Sequence, residues 1–329
     1  MNPIRFASVI VTYRCNAKCH MCNTWQYPSK HDEEIGLSVY RKLPYLNTVN
    51  VTGGEPFLRK DLEDIVDVLK SKAKRLVISS NGYFTDRILR LFEKRKDLGI
   101  RISIEGLPKA NDELRGLNDG FDRGIRTLIE LNRMGVKDIG FGITVTDRNA
   151  KDVMELYHLA KMMGLEFATA AIHNAFYFHK FDNEFKDPDA ASAEFKRLIE
   201  ELLKSNKVKD WFRAYFNYGL VNYIKGNARL LPCEMGIDSF FLDPYGKILP
   251  CNVLNEPMGD LTKQSFEEIW TGARAEEVRN KVRGCKERCW MIGSVAQQMK
   301  KNISRPGLWV LRHKFMGKGL DDSCVFGKK

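Results

Sequence analysis

Between Cys22 and Cys233 the chain has no cysteine, and this gap governs how its eight cysteines are read. Three of them, Cys15, Cys19 and Cys22, fall within eight residues as C-x3-C-x2-C, with no fourth thiol nearby. Structural zinc closes with four ligands, usually as two close pairs, and a common iron–sulfur cluster takes four cysteines, one per iron. The N-terminal trio alone completes neither. Long apolar runs are also missing. The apolar stretch ending at Val11 is too short and wrongly flanked for a signal peptide or a membrane span, and no later segment is long enough. A cytoplasmic location is therefore expected. Without an export signal, eight cysteines favour metal binding or redox chemistry over a disulfide framework. Internal repeats beyond a strand–helix alternation and low-complexity segments are absent too.

What is present describes an ordinary globular chain. Its 329 residues suffice for one substantial core and a smaller second domain, and its composition is 43% hydrophobic and 29% charged. The net charge of +11, from 53 basic and 42 acidic residues, could serve acidic substrates, nucleic acid or an anionic membrane surface. The basic residues are interspersed with acids, as in Asp122-Arg123 and Glu276-Glu277-Val278-Arg279. That pattern reads as a solvated basic surface rather than a nucleic-acid footprint.

Six strands rich in Val and Ile are predicted, at 6–12, 48–52, 75–79, 100–105, 139–146 and 166–173. Helices are expected at 61–71, 121–134 and 149–163. Their apolar stripes are Leu62/Ile65/Val66/Leu69, Phe121/Ile125/Leu128/Ile129 and Val153/Leu156/Tyr157/Ala160, with Gly164 as a C-terminal stop. The fold class is α/β, a partial (β/α)6 TIM-like barrel with a small C-terminal α+β cluster-binding extension. Six units fall short of the eight that close a full barrel. Chemistry in such folds sits at the C-terminal strand ends, where the sequence places the cysteine loop, Gly53-Gly54-Glu55-Pro56, Ser80-Asn81-Gly82, Glu105-Gly106 and 144–149. Residues 188–223 read as helical. A boundary near 226 separates the barrel (1–225) from an extension (226–300) with a hairpin at 239–242 and 247–249 and helices at 265–271 and 274–282. A basic tail covers 301–329.

The cysteine loop with Gly53-Gly54-Glu55-Pro56 at the second strand end resembles the radical S-adenosylmethionine superfamily. By themselves, the three thiols also suit a reduced thiol cluster, or a zinc site borrowing His20 or a distant ligand, and Gly-Gly-Glu-Pro alone suits a tight turn. The resemblance implies that Cys15, Cys19 and Cys22 hold a [4Fe-4S] cluster whose open iron binds the amino and carboxylate groups of S-adenosylmethionine. It further implies that the Gly53 and Gly54 backbone accepts a hydrogen bond from the methionyl amino group, with Glu55 bracing the loop. Ser103 and Glu105 stand where relatives contact the ribose or methionyl part. Residues 111–115 resemble a loop whose arginine, here Arg115, grips the methionyl carboxylate. Met21 replaces the aromatic that often borders the adenine, a place a flexible thioether can fill. Asn81 and Asn149 are weaker candidates, since Asn is common in turns.

Cys233, Cys251, Cys285 and Cys289 form a second set, and Cys233-x12-Gly246-x4-Cys251 resembles the opening of the SPASM and twitch extensions. Four cysteines imply one auxiliary [4Fe-4S] cluster of the shortened twitch kind; a zinc knuckle suits the same spacing. Cys324 is left over, as a free thiol or a further ligand. The aromatics at 176–185 and 211–223 serve either the core or a substrate cavity between barrel and extension, and His173, ending the sixth strand, is the candidate substrate contact. The implied activity is generation of a 5′-deoxyadenosyl radical that abstracts a substrate hydrogen, with a net oxidation or bond formation assisted by the auxiliary cluster. The implied partners are a small-molecule or peptide substrate and a one-electron reductant of the flavodoxin or ferredoxin type. Only fourteen residues precede Cys15, which disfavours a leader-peptide domain and hence a peptide. Two alternatives stand beside this reading: a non-catalytic iron–sulfur or zinc protein in electron transfer or regulation, and an RNA-modifying relative.

Overall fold

The computed structural model describes residues 4–320 of the chain, and Cys324 lies outside them. Six parallel strands run in sequence order: β1 (Phe6–Ile10), β2 (Leu46–Thr52), β3 (Ala73–Ser80), β4 (Gly99–Ser103), β5 (Asp138–Val145) and β6 (Glu166–Ala171). Helices α1 (Leu37–Tyr40), α2 (Leu62–Ser71), α3 (Thr85–Glu93), α4 (Pro108–Arg115), α5 (Gly120–Arg133) and α6 (Val153–Met162) fall between them. This is the expected partial barrel.

The α2 stripe Leu62, Ile65, Val66 and Leu69 is buried as its spacing predicts, and Gly164 ends α6 at φ +67°, where a left-handed residue stops the helix. The α5 stripe differs. Ile129 is 37% exposed, while Gly120, Gly124, Thr127, Leu128 and Leu131 are buried. A Cβ on Gly124 would come within 2.7 Å of Ile104 Cδ1, so the small residue fixes which face meets the sheet. Residues 108–115, expected as loop around Arg115, form a helix that starts at Pro108. Proline suits that position because its missing N–H would be unpaired there anyway.

After β6 come two long helices, α7 (Pro188–Lys204) and α8 (Val208–Ile224), then β7 (Ser239–Leu242), β8 (Lys247–Leu249) and β9 (Gly259–Asp260). The extension joins the barrel directly. β7 pairs in parallel with β1, so one nine-stranded sheet runs in the order β6-β5-β4-β3-β2-β1-β7-β8-β9. The β1 edge of the open barrel is thereby covered, which removes an exposed row of backbone donors and acceptors. Helices α9 (Phe266–Thr271) and α10 (Ala273–Arg283) follow, the first opened by a Ser265/Glu268 capping box. Helix α11 (Ile292–Lys301) ends the extension, and α12 (Ser304–Val310) lies within the segment read as a basic tail; both pack against α8 of the barrel. Trp309 is buried there against Tyr215 and Tyr218 of α8.

Candidate metal centres and cofactor site

The cysteine loop begins where β1 ends and is held from below by glycine. Gly54 N donates to Thr12 O and Glu55 N to Arg14 O, both at 2.8 Å. A Cβ on Gly53 would lie 2.5 Å from Thr12 O, and one on Gly54 would lie 2.2 Å from Arg14 O. The glycine pair is thus required by the close approach of two backbones, before any ligand is considered. The base of the loop is tied by Glu34, whose side chain is 1% exposed and accepts from Ser29 Oγ at 2.6 Å, Arg14 Nη2 at 2.8 Å and the Thr12 hydroxyl.

Helix α4 holds the other side. Its last carbonyls, on Leu114 and Arg115, accept the amides of His20 (2.7 Å) and Lys18 (2.9 Å), which flank Cys19. Met21 and Cys19 pack with Leu114 and Ile172. Burial pushes the Cys15 thiol up to about 12 and raises Cys19 as well, while Arg115 pulls both back. A metal that takes these thiols as thiolates therefore displaces protons.

Arg115 Nη1 donates to Glu105 Oε1 at 3.0 Å, and Arg115 Nε is buried with no partner. Glu105 Oε2 accepts from Thr144 N at 2.5 Å, and Asn149 Nδ2 bonds the carbonyls of Glu105 (2.6 Å) and Thr144 (3.0 Å). Burial raises Glu105, and Arg115 opposes it. Glu55 is fully buried and accepts from Phe57 N, Ser80 Oγ and Asn81 N at 3.1, 2.9 and 2.7 Å. Asn81 Nδ2 reaches Asn16 Oδ1 in the cysteine loop at 2.8 Å. Ser103 closes β4, half-buried, on the same rim.

Cys233, Cys251, Cys285 and Cys289 line a single cavity of about 380 Å³. Among the described residues, no three His, Cys, Asp or Glu side chains converge closely enough to hold one metal ion. A lone zinc needs four donors within about 2.3 Å, whereas a four-iron cluster spreads its thiolates around a larger body. The four thiols share one cavity, as the ligands of a single metal centre do. All seven described cysteines are free thiols.

A segment after β6 links the two cysteine sets through hydrogen bonds that the sequence did not reveal. Asn23 N donates to Phe178 O at 2.8 Å and Thr24 Oγ1 to Tyr177 O at 3.1 Å; Cys22 Sγ lies 3.1 Å from Thr24 Oγ1. On the other side, Tyr177 N donates to Asn252 O at 3.0 Å, next to Cys251. The Tyr177 hydroxyl donates to the Gly53 carbonyl. His173, expected at the substrate, instead has Nε2 3.2 Å from Asn252 Nδ2 and Nδ1 3.4 Å from Ala171 O. Both ring nitrogens face protein groups, and burial lowers its pKa. Of the two aromatic groups, the 211–223 set lies along α8, with Tyr215 and Phe216 buried and Tyr223 facing a cavity, while 176–178 lies across the cysteine loop. A second cavity of about 370 Å³ opens between barrel and extension, lined by Ile172, Phe185, Tyr223, Lys286 and Arg288 among others.

Residues 9–160 match the Radical SAM superfamily, and residues 233–290 match SPASM, the iron-sulfur cluster-binding domain. The chain carries a radical SAM domain followed by a SPASM domain, and its radical SAM homologues are enzymes. Its cofactors are S-adenosylmethionine and [4Fe-4S] clusters. It is 30% identical over 158 residues to Fe-coproporphyrin III synthase of Methanosarcina barkeri, covering 45% of this chain and 39% of that one. With the AdoMet-dependent heme synthase of the same organism it shares 25% identity, over 93% of this chain and 98% of that one. Its fold is similar to SuiB of Streptococcus suis bound to precursor peptide SuiA, with a TM-score of 0.64 and 16% identity over 86% of this chain and 67% of that one. No helix among the described residues is long and apolar enough to cross a membrane.

Proposed function

We propose that the chain binds S-adenosylmethionine at the barrel rim and abstracts a hydrogen from a carbon of a small metabolite or peptide, giving a net oxidation or bond formation. The observation that carries this reading is the three-thiol loop seated between Gly53-Gly54 and the end of α4, with the other four described cysteines lining a separate cavity. When bound, the reduced cluster and S-adenosylmethionine supply a 5′-deoxyadenosyl radical. Cys15, Cys19 and Cys22 hold that cluster. The unpartnered Nε of Arg115 suits the methionyl carboxylate, and the Gly53 carbonyl keeps a second lone pair for the methionyl amino group beside the Tyr177 hydroxyl. Glu55 fixes the glycine loop, Glu105 orients Arg115, and Ser103 and Met21 border the nucleoside. We read His173 as a strut between barrel and extension rather than as a substrate contact. The other four thiols hold one auxiliary [4Fe-4S] cluster.

The division at 226 into barrel and extension, with 301–329 as a C-terminal segment, follows the two cluster sites. The match to a heme synthase along nearly its full length favours a small-molecule substrate. Many cations are paired with acids, as Arg75 and Arg101 are with Asp138 and Arg95 with Asp67 and Glu63, which speaks against a nucleic-acid groove. A flavodoxin- or ferredoxin-type donor in the cytoplasm supplies the electron. The test is anaerobic reconstitution with S-adenosylmethionine and dithionite. 5′-Deoxyadenosine should form, and no product above a Cys15→Ala control would favour a non-catalytic electron-transfer or regulatory protein.

A further inference from the structure

We infer that Arg229 donates a hydrogen bond to the auxiliary cluster and raises its reduction potential. This rests on the reading that Cys233, Cys251, Cys285 and Cys289 hold iron and sulfide. Arg229 lies in the stretch before Cys233 and lines the same cavity as the four thiols. Two of its donors are committed to the protein. Nε donates to Leu231 O at 3.2 Å, and Nη1 donates to the carbonyl of Cys289. The guanidinium also sits 5.6 Å from the centre of the Trp290 ring. These contacts prevent it from swinging out to water. Its Nη2 is buried with no partner.

A buried N–H without an acceptor is costly and calls for an explanation. The thiolates and sulfides of a cluster in this cavity are acceptors. The neighbouring cations are differently placed: Arg283 bonds Glu276 at 2.8 Å, and Arg305 bonds Leu230 O at 2.7 Å. Glu287, also on the cavity, is exposed. Hydrogen bonds to sulfur and nearby positive charge both favour the more negative, reduced form of a cluster. The barrel centre is built differently. There the buried cation, Arg115, is neutralised by Glu105, whereas no carboxylate pairs with Arg229 among the described residues. The auxiliary cluster should therefore be the easier of the two to reduce, which suits an acceptor of the electron left on a substrate radical.

The test uses the full chain carrying Cys15→Ala, Cys19→Ala and Cys22→Ala, so that only the auxiliary cluster gives an EPR signal. In a redox titration Arg229→Gln should shift the one-electron equilibrium about tenfold toward the oxidised form, about 59 mV lower, with Arg229→Lys falling less. An unchanged midpoint in a variant with full iron content overturns the inference. If the variants do not load iron, pulsed EPR on protein with Arg229 intact and ¹⁵N-labelled arginine decides: ¹⁵N coupling to the reduced cluster supports the assignment, and its absence overturns it. Zinc in place of iron at this site would overturn the underlying cluster reading, a result that metal analysis distinguishes from the others.

Discussion

The guanidinium of Arg115 and the carboxylate of Glu105 meet at 3.0 Å, with side chains 10% and 5% exposed, at the end of the helix on which the cysteine loop rests. Removing one charge of a buried pair leaves the other uncompensated, which costs about 3–5 kcal/mol. Glu105→Gln should lower stability by that order in urea titration. A loss under about 1 kcal/mol would mean that Arg115 finds another counter-charge and that Glu105 does not orient it.

Gly54→Ala drives a Cβ toward the Arg14 carbonyl, and backbone cannot yield as a side chain can. The expected outcome is a loss of about 3 kcal/mol together with lower iron content at the N-terminal site. Gly307→Ala in α12 is the control. Nothing lies within 4 Å of its added methyl, so it should be neutral or stabilise by up to about 1 kcal/mol.

Tyr177 is bound mainly through its backbone, which accepts from Thr24 and donates to Asn252. Tyr177→Phe removes only the hydrogen bond to the Gly53 carbonyl. It should cost about 1 kcal/mol and leave iron at both sites unchanged. Loss of iron from either site would show that the hydroxyl, not the backbone, holds the segment.

Most of the barrel could be read from sequence because short runs rich in Val and Ile announce its strands by composition, and the C-x3-C-x2-C loop and Gly53-Gly54 stand at two of their ends. The helix at Pro108–Arg115 was read as loop because its exposed face is polar and its apolar contacts are few. The links of Tyr177 and His173 to Asn252 were hidden for a different reason. They span more than seventy residues and run partly through backbone groups, which carry no residue-type signature. Arg229 lies in a stretch that reads as a linker, and only the fold brings it against Cys289. Trp309 was the one available signal that the C-terminal segment packs, since a tryptophan beside Val310 is an unusual choice for a solvated tail.

Asp243, at the β7–β8 turn, is 6% exposed, and burial pushes its pKa up to about 6 although the amides of Tyr245 and Lys247 donate to it. The folded state therefore holds this proton more tightly than the unfolded chain, where the value is near 3.9. Its stabilising contribution is complete below that value and is lost as pH rises through about 6. Asp243→Asn should remove this decline and be more stable than wild type at pH 7 by roughly 2 kcal/mol. Urea midpoints from pH 4.5 to 7 check it, and parallel curves for the two proteins would contradict it.

Iron, sulfide and zinc determined together on anaerobically reconstituted protein test the two-centre account most directly. About eight irons and eight sulfides per chain are predicted, falling to about four of each in Cys251→Ala. About four irons with one bound zinc would contradict it, because the cavity around Cys251 would then have no redox part to play.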